Sequence, residues 1–147
     1  MNLSTAIKSI QDIMRRDDGV DGDAQRIGQL TWMLFLKVLD RREEQWEEAA
    51  QERGQIYTSP LPVACRWRDW AAFKDGKPQT SSDKLIVFVN DELFPTLKSI
   101  DVSDNPMRKV IRQVFEDSNN YMKSGTLMLG VVEKLDEAVD FQDFTTL

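Results

Sequence analysis

Side chains able to do acid–base, nucleophilic or phosphate-binding chemistry occur in this sequence, but none of them falls into a catalytic pattern. Histidine is absent. That removes the commonest general base, the imidazole metal ligand and any Ser-His-Asp relay. A single cysteine, Cys65, excludes an internal disulfide and a cysteine-based zinc cluster, and agrees with a reducing cytosol. The stretch Asp17-Asp-Gly-Val-Asp-Gly-Asp23 concentrates carboxylates in a short turn. It lacks the ligand spacing and closing glutamate of an EF-hand, and reads as a solvated turn. Lys123-Ser-Gly-Thr126 has the letters of a phosphate-binding loop in the wrong order, and no Gly-x-Gly occurs anywhere.

Asn105-Pro106 matches the start of the Asn-Pro-Pro-aromatic motif of amino-methyltransferases. There the polar groups receive the amino hydrogens of a flipped base and the aromatic ring stacks on it. The next residues here are Met107 and Arg108. The second proline and the ring are both missing, so the pair reads as a helix start. What remains is cationic. Arg108, Lys109 and Arg112 fall on one helical segment, and Arg15 and Arg16 end another, where cations also suit the helix dipole. These five can touch phosphates or form an ordinary solvated face. Lys37 is the one charge within an apolar run, placed either to lay its stem along neighbours or to reach a carboxylate or partner. The net charge of −6 argues against a chain whose whole surface attracts nucleic acid.

The elements that must position these groups are helical. With 147 residues, 41% of them hydrophobic and 30% charged, the chain can bury a core without disulfides or a metal. Leu3, Ile7, Ile10 and Met14 mark a first helix to about Arg16, with Ile13 widening the stripe. A second begins near Asp23 and extends to Arg53, with Gly54 as its stop. Between Leu30 and Leu39 only Thr31 and Lys37 are not hydrophobic. Ile27, Leu30, Leu34 and Val38 fill one face, and Trp32, Met33, Phe35, Leu36 and Leu39 spread over the others. A run of about ten residues spans roughly 15 Å, half of what a bilayer needs, so the segment is the central helix of a bundle and not a membrane span. Leu34→Ala is then expected to cost about 2–5 kcal/mol.

Past Asp40 the second helix reads as a solvated end with Trp46 tucked back. Residues 55–79, punctuated by Pro60, Pro62, Gly76 and Pro78, read as a long ordered loop. Trp67 and Trp70 within it either anchor the loop to the body or stack on bases. Thr80-Ser-Ser-Asp83 caps a third helix that Pro95 ends or kinks, although its middle, Leu85-Ile-Val-Phe-Val89, also has the composition of a buried strand. Asn105-Pro106 opens a fourth, carrying Met107, Val110, Ile111, Val114 and Phe115. Ser124 or Gly125 opens a last one, lined by Leu127, Val131, Leu135 and Val139. The expected fold is all-α: a single bundle of about five helices around a central apolar helix, with one long ordered loop.

An ordered set of segments carries a family likeness. Residues 10–27, the run Leu30-Thr-Trp-Met-Leu-Phe-Leu-Lys-Val-Leu39, Arg66-Trp-Arg-Asp-Trp70, Asn105-Pro106, Val110-Ile111, Val114-Phe115 and Ser124-Gly…Leu127…Val131-Val132 together resemble the N-terminal helical domain of type I restriction–modification methylation subunits. The resemblance implies that residues 1–147 are one non-catalytic front domain with no cofactor of its own. The catalytic domain, with its S-adenosylmethionine loop and Asn-Pro-Pro-aromatic motif, would lie outside this chain. It further implies a cytoplasmic subunit that methylates adenine in DNA. Its partners would be a specificity subunit, a second methylation subunit and a restriction subunit. Arg15, Arg16, Lys37, Arg108, Lys109 and Arg112 are the candidates for DNA or partner contact. On this view Arg108→Ala leaves stability nearly unchanged and weakens DNA binding. The competing reading is a free-standing helical adaptor that docks a partner through an apolar surface around Trp32 and Leu36.

Overall fold

A computed structural model of the protein describes residues 3–138. Helix α1 spans Leu3–Met14, α2 Gly22–Glu52, α3 Trp67–Trp70, α4 Ser82–Phe88, α5 Phe94–Lys98, α6 Pro106–Glu116 and α7 Gly125–Ala138. Val139, expected at the end of the last stripe, and the Leu3 side chain lie outside the described residues. No strand occurs among the described residues, and the all-α expectation holds. Helix α1 packs on α7, α7 on α4 and α2, and α5 on α6.

Local chemistry sets the ends. Asn105 caps α6, its side-chain oxygen accepting from the Arg108 amide at 3.1 Å, with Pro106 in the first turn. Ser81 caps α4 through the Lys84 amide, and Ser124 caps α7 through the Leu127 amide at 3.1 Å. At the far end of α2 the Gly54 amide donates to Gln51 and the Gln55 amide to Ala50 at 2.8 Å. Gly54 sits at φ +67°, the left-handed conformation this stop requires.

Pro95 does not end the helical run. Between α4 and α5 residues Val89–Leu93 form a π-helical turn, and the Phe94 amide donates to Val89. A proline removes one amide and crowds the preceding turn. Widening that turn by one residue makes room for the ring, so the helix passes through to Lys98.

The core joins the helices through aromatics. The Trp32 ring lies 4.9 Å from Phe94, 6.2 Å from Phe115 and 6.5 Å from Trp70 between centroids. Around it Ile10, Met14, Met33, Leu36, Leu85, Leu93, Ile111 and Leu135 are buried. The burial corrects the expected face of α2. Trp32, Met33, Leu36 and Leu39 point inward, whereas Ile27 is 57% exposed and Leu30, Leu34 and Val38 are only half-buried. Helix α2 is a long wall of the bundle rather than a helix surrounded on all sides.

The Asp17 turn also departs from expectation. Its carboxylate is buried and accepts from the amides of Gly19 at 2.8 Å, Lys123 at 3.0 Å and Ser124 at 3.0 Å. It staples the α1–α2 turn to the start of α7. There the backbones nearly touch: a Cβ on Gly125 would stand 2.2 Å from the Ser82 carbonyl oxygen.

Two measurements check this packing. Leu36→Ala should cost about 2–5 kcal/mol by chemical denaturation and the half-buried Leu34→Ala roughly half that, the reverse of what hydrophobic periodicity alone suggests. Gly125→Ala should cost about 1–3 kcal/mol, because backbone and not a movable side chain stands in the way.

Candidate interaction surfaces

The polar groups of the chain divide into those that hold the fold and those left facing outward. Asp136 on α7 gathers three donors: Lys37 Nζ at 3.2 Å, Trp67 Nε1 at 2.9 Å and the Phe73 amide at 2.8 Å. The Lys37 ammonium also lies 5.9 Å from the centre of the Trp67 ring. Arg68 on α3 binds Asp40 through Nε at 2.7 Å and both oxygens of Glu47 through Nη1 at 3.0 Å. Gln29 bonds Asn120 at 2.9 Å and the Tyr121 amide at 2.8 Å. None of these partners was visible in the sequence, because each joins residues more than 20 positions apart.

The second half of α2 is therefore no solvated end. Glu43 is fully buried, with one carboxylate oxygen accepting from Ser59 Oγ at 2.8 Å. Its other oxygen and the neighbouring Tyr57 hydroxyl lack a well-formed hydrogen bond. Burial pushes the Glu43 carboxyl above its ordinary value, against the pull of Ser59. Burial likewise raises Asp40, although the hydrogen bond and charge of Arg68 draw it down. Tyr57 is pushed up to about 12, by burial first and then by the Glu43 charge. Burial also works against the charge of Arg68, but Asp40 and Glu47 outweigh it and lift its pKa further. These are the properties of a buried ion network that locks the 55–79 loop onto α2.

The candidate cations fall into three kinds. Lys37 is held inside by Asp136 and Trp67. Arg108 is also built in: its Nε donates to the Pro60 carbonyl at 3.0 Å and its Nη1 to the Asp101 carbonyl at 3.1 Å. Arg15 and Arg112 stand exposed but pair with Asp12 at 2.9 Å and Glu116 at 2.8 Å. Arg16 and Lys109 are exposed, and neither side chain has an ion-pair or hydrogen-bond partner among the described residues. Lys109 and Arg112 share a shallow hollow with Glu116 and Asp117, so α6 does not present a purely basic face. Arg15 and Arg16 follow α1, which packs on α7, while Lys109 and Arg112 lie on α6, which packs on α5.

The tryptophans anchor the loop. Trp67 is fully buried and Trp70 6% exposed, its Nε1 donating to the Cys65 carbonyl at 3.3 Å. Neither ring is free to stack on bases. An adaptor surface around Trp32 and Leu36 is likewise ruled out in its stated form, because both side chains are fully buried. A hollow of about 840 Å³ lies elsewhere, between the 64–80 segment and α4 with its π-helical extension. Among the described residues there is no group of metal-ligating side chains and no helix long and apolar enough to cross a membrane.

The described residues form an all-helical unit with a densely bonded interior. The comparisons make the class specific. Residues 3–135 match the HsdM N-terminal domain, and the chain belongs to that family. It is 50% identical over 143 residues to the type I restriction enzyme EcoEI methylase subunit of Escherichia coli. The match takes in 96% of this chain and 28% of that protein. The crystal structure of a protein described as the modification subunit of a type I restriction enzyme from Vibrio vulnificus superposes with a TM-score of 0.85 at 35% identity. That overlap covers 98% of this chain and 32% of the other. A structure reporting complex assembly and conformational transition of the type I restriction–modification system gives a TM-score of 0.78 at 34% identity. It covers 95% of this chain and 26% of that one. The chain thus spans about a third or less of the relatives it matches. The likeness seen in the ordered segments is borne out.

Two predictions follow from the buried charges. Because Asp40 and Glu43 are raised above their unfolded values, the folded state holds their protons more tightly. That contribution is complete below the unfolded pKa and is lost as pH rises through the folded one. Glu43→Gln, which keeps the acceptor for Ser59 without the charge, should melt at or above the wild-type temperature at neutral pH. Its melting temperature should also fall less across the window that opens at the ordinary carboxylate pKa. A steeper fall in thermal melts over a pH series would contradict the assignment. Arg108→Ala, expected from sequence to be silent in stability, should instead cost about 1–3 kcal/mol by denaturant titration, since two backbone carbonyls lose a charged donor.

Proposed function

We propose that this domain is the non-catalytic front part of a DNA adenine methyltransferase subunit of a type I restriction–modification system, serving subunit assembly and engagement of target DNA. The native subunit would continue into a catalytic domain beyond residues 1–147 and work in the bacterial cytoplasm. It would assemble with a specificity subunit, a second methylation subunit and a restriction subunit. The observation that carries this reading is the match to the HsdM N-terminal domain across residues 3–135. The resemblance to a structure concerned with complex assembly supports the role in assembly.

S-adenosylmethionine belongs to the full-length subunit. The described residues do not fit it: they include no strand, hence no strand-to-helix glycine loop, and no Gly-x-Gly occurs in the sequence. What these residues supply is shape and charge. Arg16 and Lys109 are the cations best placed to meet phosphate in the assembled complex, with Arg15 and Arg112 able to exchange a surface carboxylate for one.

The full-length subunit and a version lacking residues 1–147 can be compared for co-sedimentation with the specificity subunit and for methylation of target DNA. Loss of at least tenfold in either is expected on deletion. Normal assembly and normal methylation without these residues would sink the proposal. Arg16→Ala and Lys109→Ala should each weaken DNA binding by the assembled complex and lower the slope of log affinity against log salt by about 1.

A further inference from the structure

The hollow between the 64–80 segment and α4 has an apolar floor and an acidic wall. Trp70 and Phe88 form the floor, their ring centroids 5.8 Å apart, and Val87 at its edge is 54% exposed. Asp83, Asp91 and Glu92 stand along the wall, exposed and without an ion-pair partner among the described residues. Lys84 is the one cation there, and Asp69 at the opposite edge is already paired with Arg66. The negative field reaches the interior behind the groove. The buried Cys65 thiol is pushed up to about 11, by burial first and then by Asp69 and Glu92.

Such a surface repels phosphate, so it is no part of a nucleic-acid interface. Asp83, Val87 and Asp91 recur every four residues, which sets the two carboxylates roughly 12 Å apart along the helix with an apolar side chain between them. A volume of about 840 Å³ accommodates one bulky anchor side chain and the stems of its neighbours. We infer that this groove is a docking site for a basic amphipathic segment of another subunit of the assembly, one that seats a bulky apolar side chain over Trp70, Val87 and Phe88 and pairs flanking lysines or arginines with Asp83, Asp91 and Glu92. The anchor supplies buried area, and the charges supply orientation and attraction during encounter. The inference rests on the assembly role proposed above and assigns it a surface and a partner chemistry.

The test uses the full-length subunit with its separately purified partner subunits. Asp91→Lys/Glu92→Lys should weaken association at least tenfold in sedimentation or calorimetry and reduce its salt dependence, with the melting temperature of the subunit unchanged. Replacing Val87 with the photo-crosslinker p-benzoylphenylalanine should, on irradiation of the assembled complex, link it to a lysine- or arginine-bearing peptide of another subunit. Unchanged association in the charge-reversed variant overturns the inference. A crosslink only to DNA, to the same subunit, or to nothing overturns it as well. If deletion of residues 1–147 abolishes assembly while the groove variants assemble normally, the groove inference fails and the assembly role stands. If the deletion itself has no effect, both fail.

Discussion

The orientation of Trp32 fixes much of this molecule. Its indole meets Phe94 edge-on at 4.9 Å and lies within reach of Phe115 and Trp70, so α2, α3, α5 and α6 converge on one ring. A helix turns about 100° per residue. Pointing Trp32 inward therefore also turns in Leu36 and Leu39, and with them Gln29, Asp40 and Glu43. Three polar side chains enter the interior as the consequence of placing one large aromatic. Each must then be satisfied, since an unpaired buried polar group costs more than a good hydrogen bond contributes. Gln29 is met by the 120–121 segment, Asp40 by Arg68, and Glu43 by Ser59. The connections that look like loose linkers are thereby held in place.

This coupling explains which parts of the fold were legible in the sequence. Helix ends were, because capping is chemistry within a few residues: Asn105-Pro106, Ser81, Ser124 and Gly54 act locally. The existence and type of the helices were also legible, because the apolar spacing needs no knowledge of neighbours. The buried face of α2 was not. Hydrophobicity alone favours Ile27, Leu30, Leu34 and Val38, whereas the face that packs includes three polar residues whose partners lie in other elements. The Asp17 turn misled for the same reason. A carboxylate in a glycine-rich turn looks solvated until the amides of Lys123 and Ser124 arrive from the far end of the chain. Among the candidate contact residues, the sequence offered no means of separating Arg108, bonded to two carbonyls, from Lys109 one position on.

The division of charge bears on how such a domain can work. Lys37, Arg66, Arg68 and Arg108 are all engaged in holding elements together. Changing them would alter the fold before it altered any contact. Among the candidates, the cations left without a partner by the described residues are Arg16 and Lys109, too few to grip a duplex unaided. On the proposed function, a protein of net charge −6 with two such groups would add contacts to a clamp that others build.

The acidic groove stands in a different relation to stability. Its wall carboxylates have no ion-pair partner inside the domain among the described residues, although Asp83, in the first turn of α4, suits the helix dipole. Unpaired like charges beside an exposed valine and two aromatic rings cost a little in repulsion and in exposed apolar area. Inside the same domain Asp40 and Asp136 meet cations and Asp17 meets backbone amides, while Glu43 meets the Ser59 hydroxyl. An apolar floor beside unpaired carboxylates is the pattern the proposed docking accounts for, because a partner bearing both positive charge and an apolar anchor offsets both costs at once.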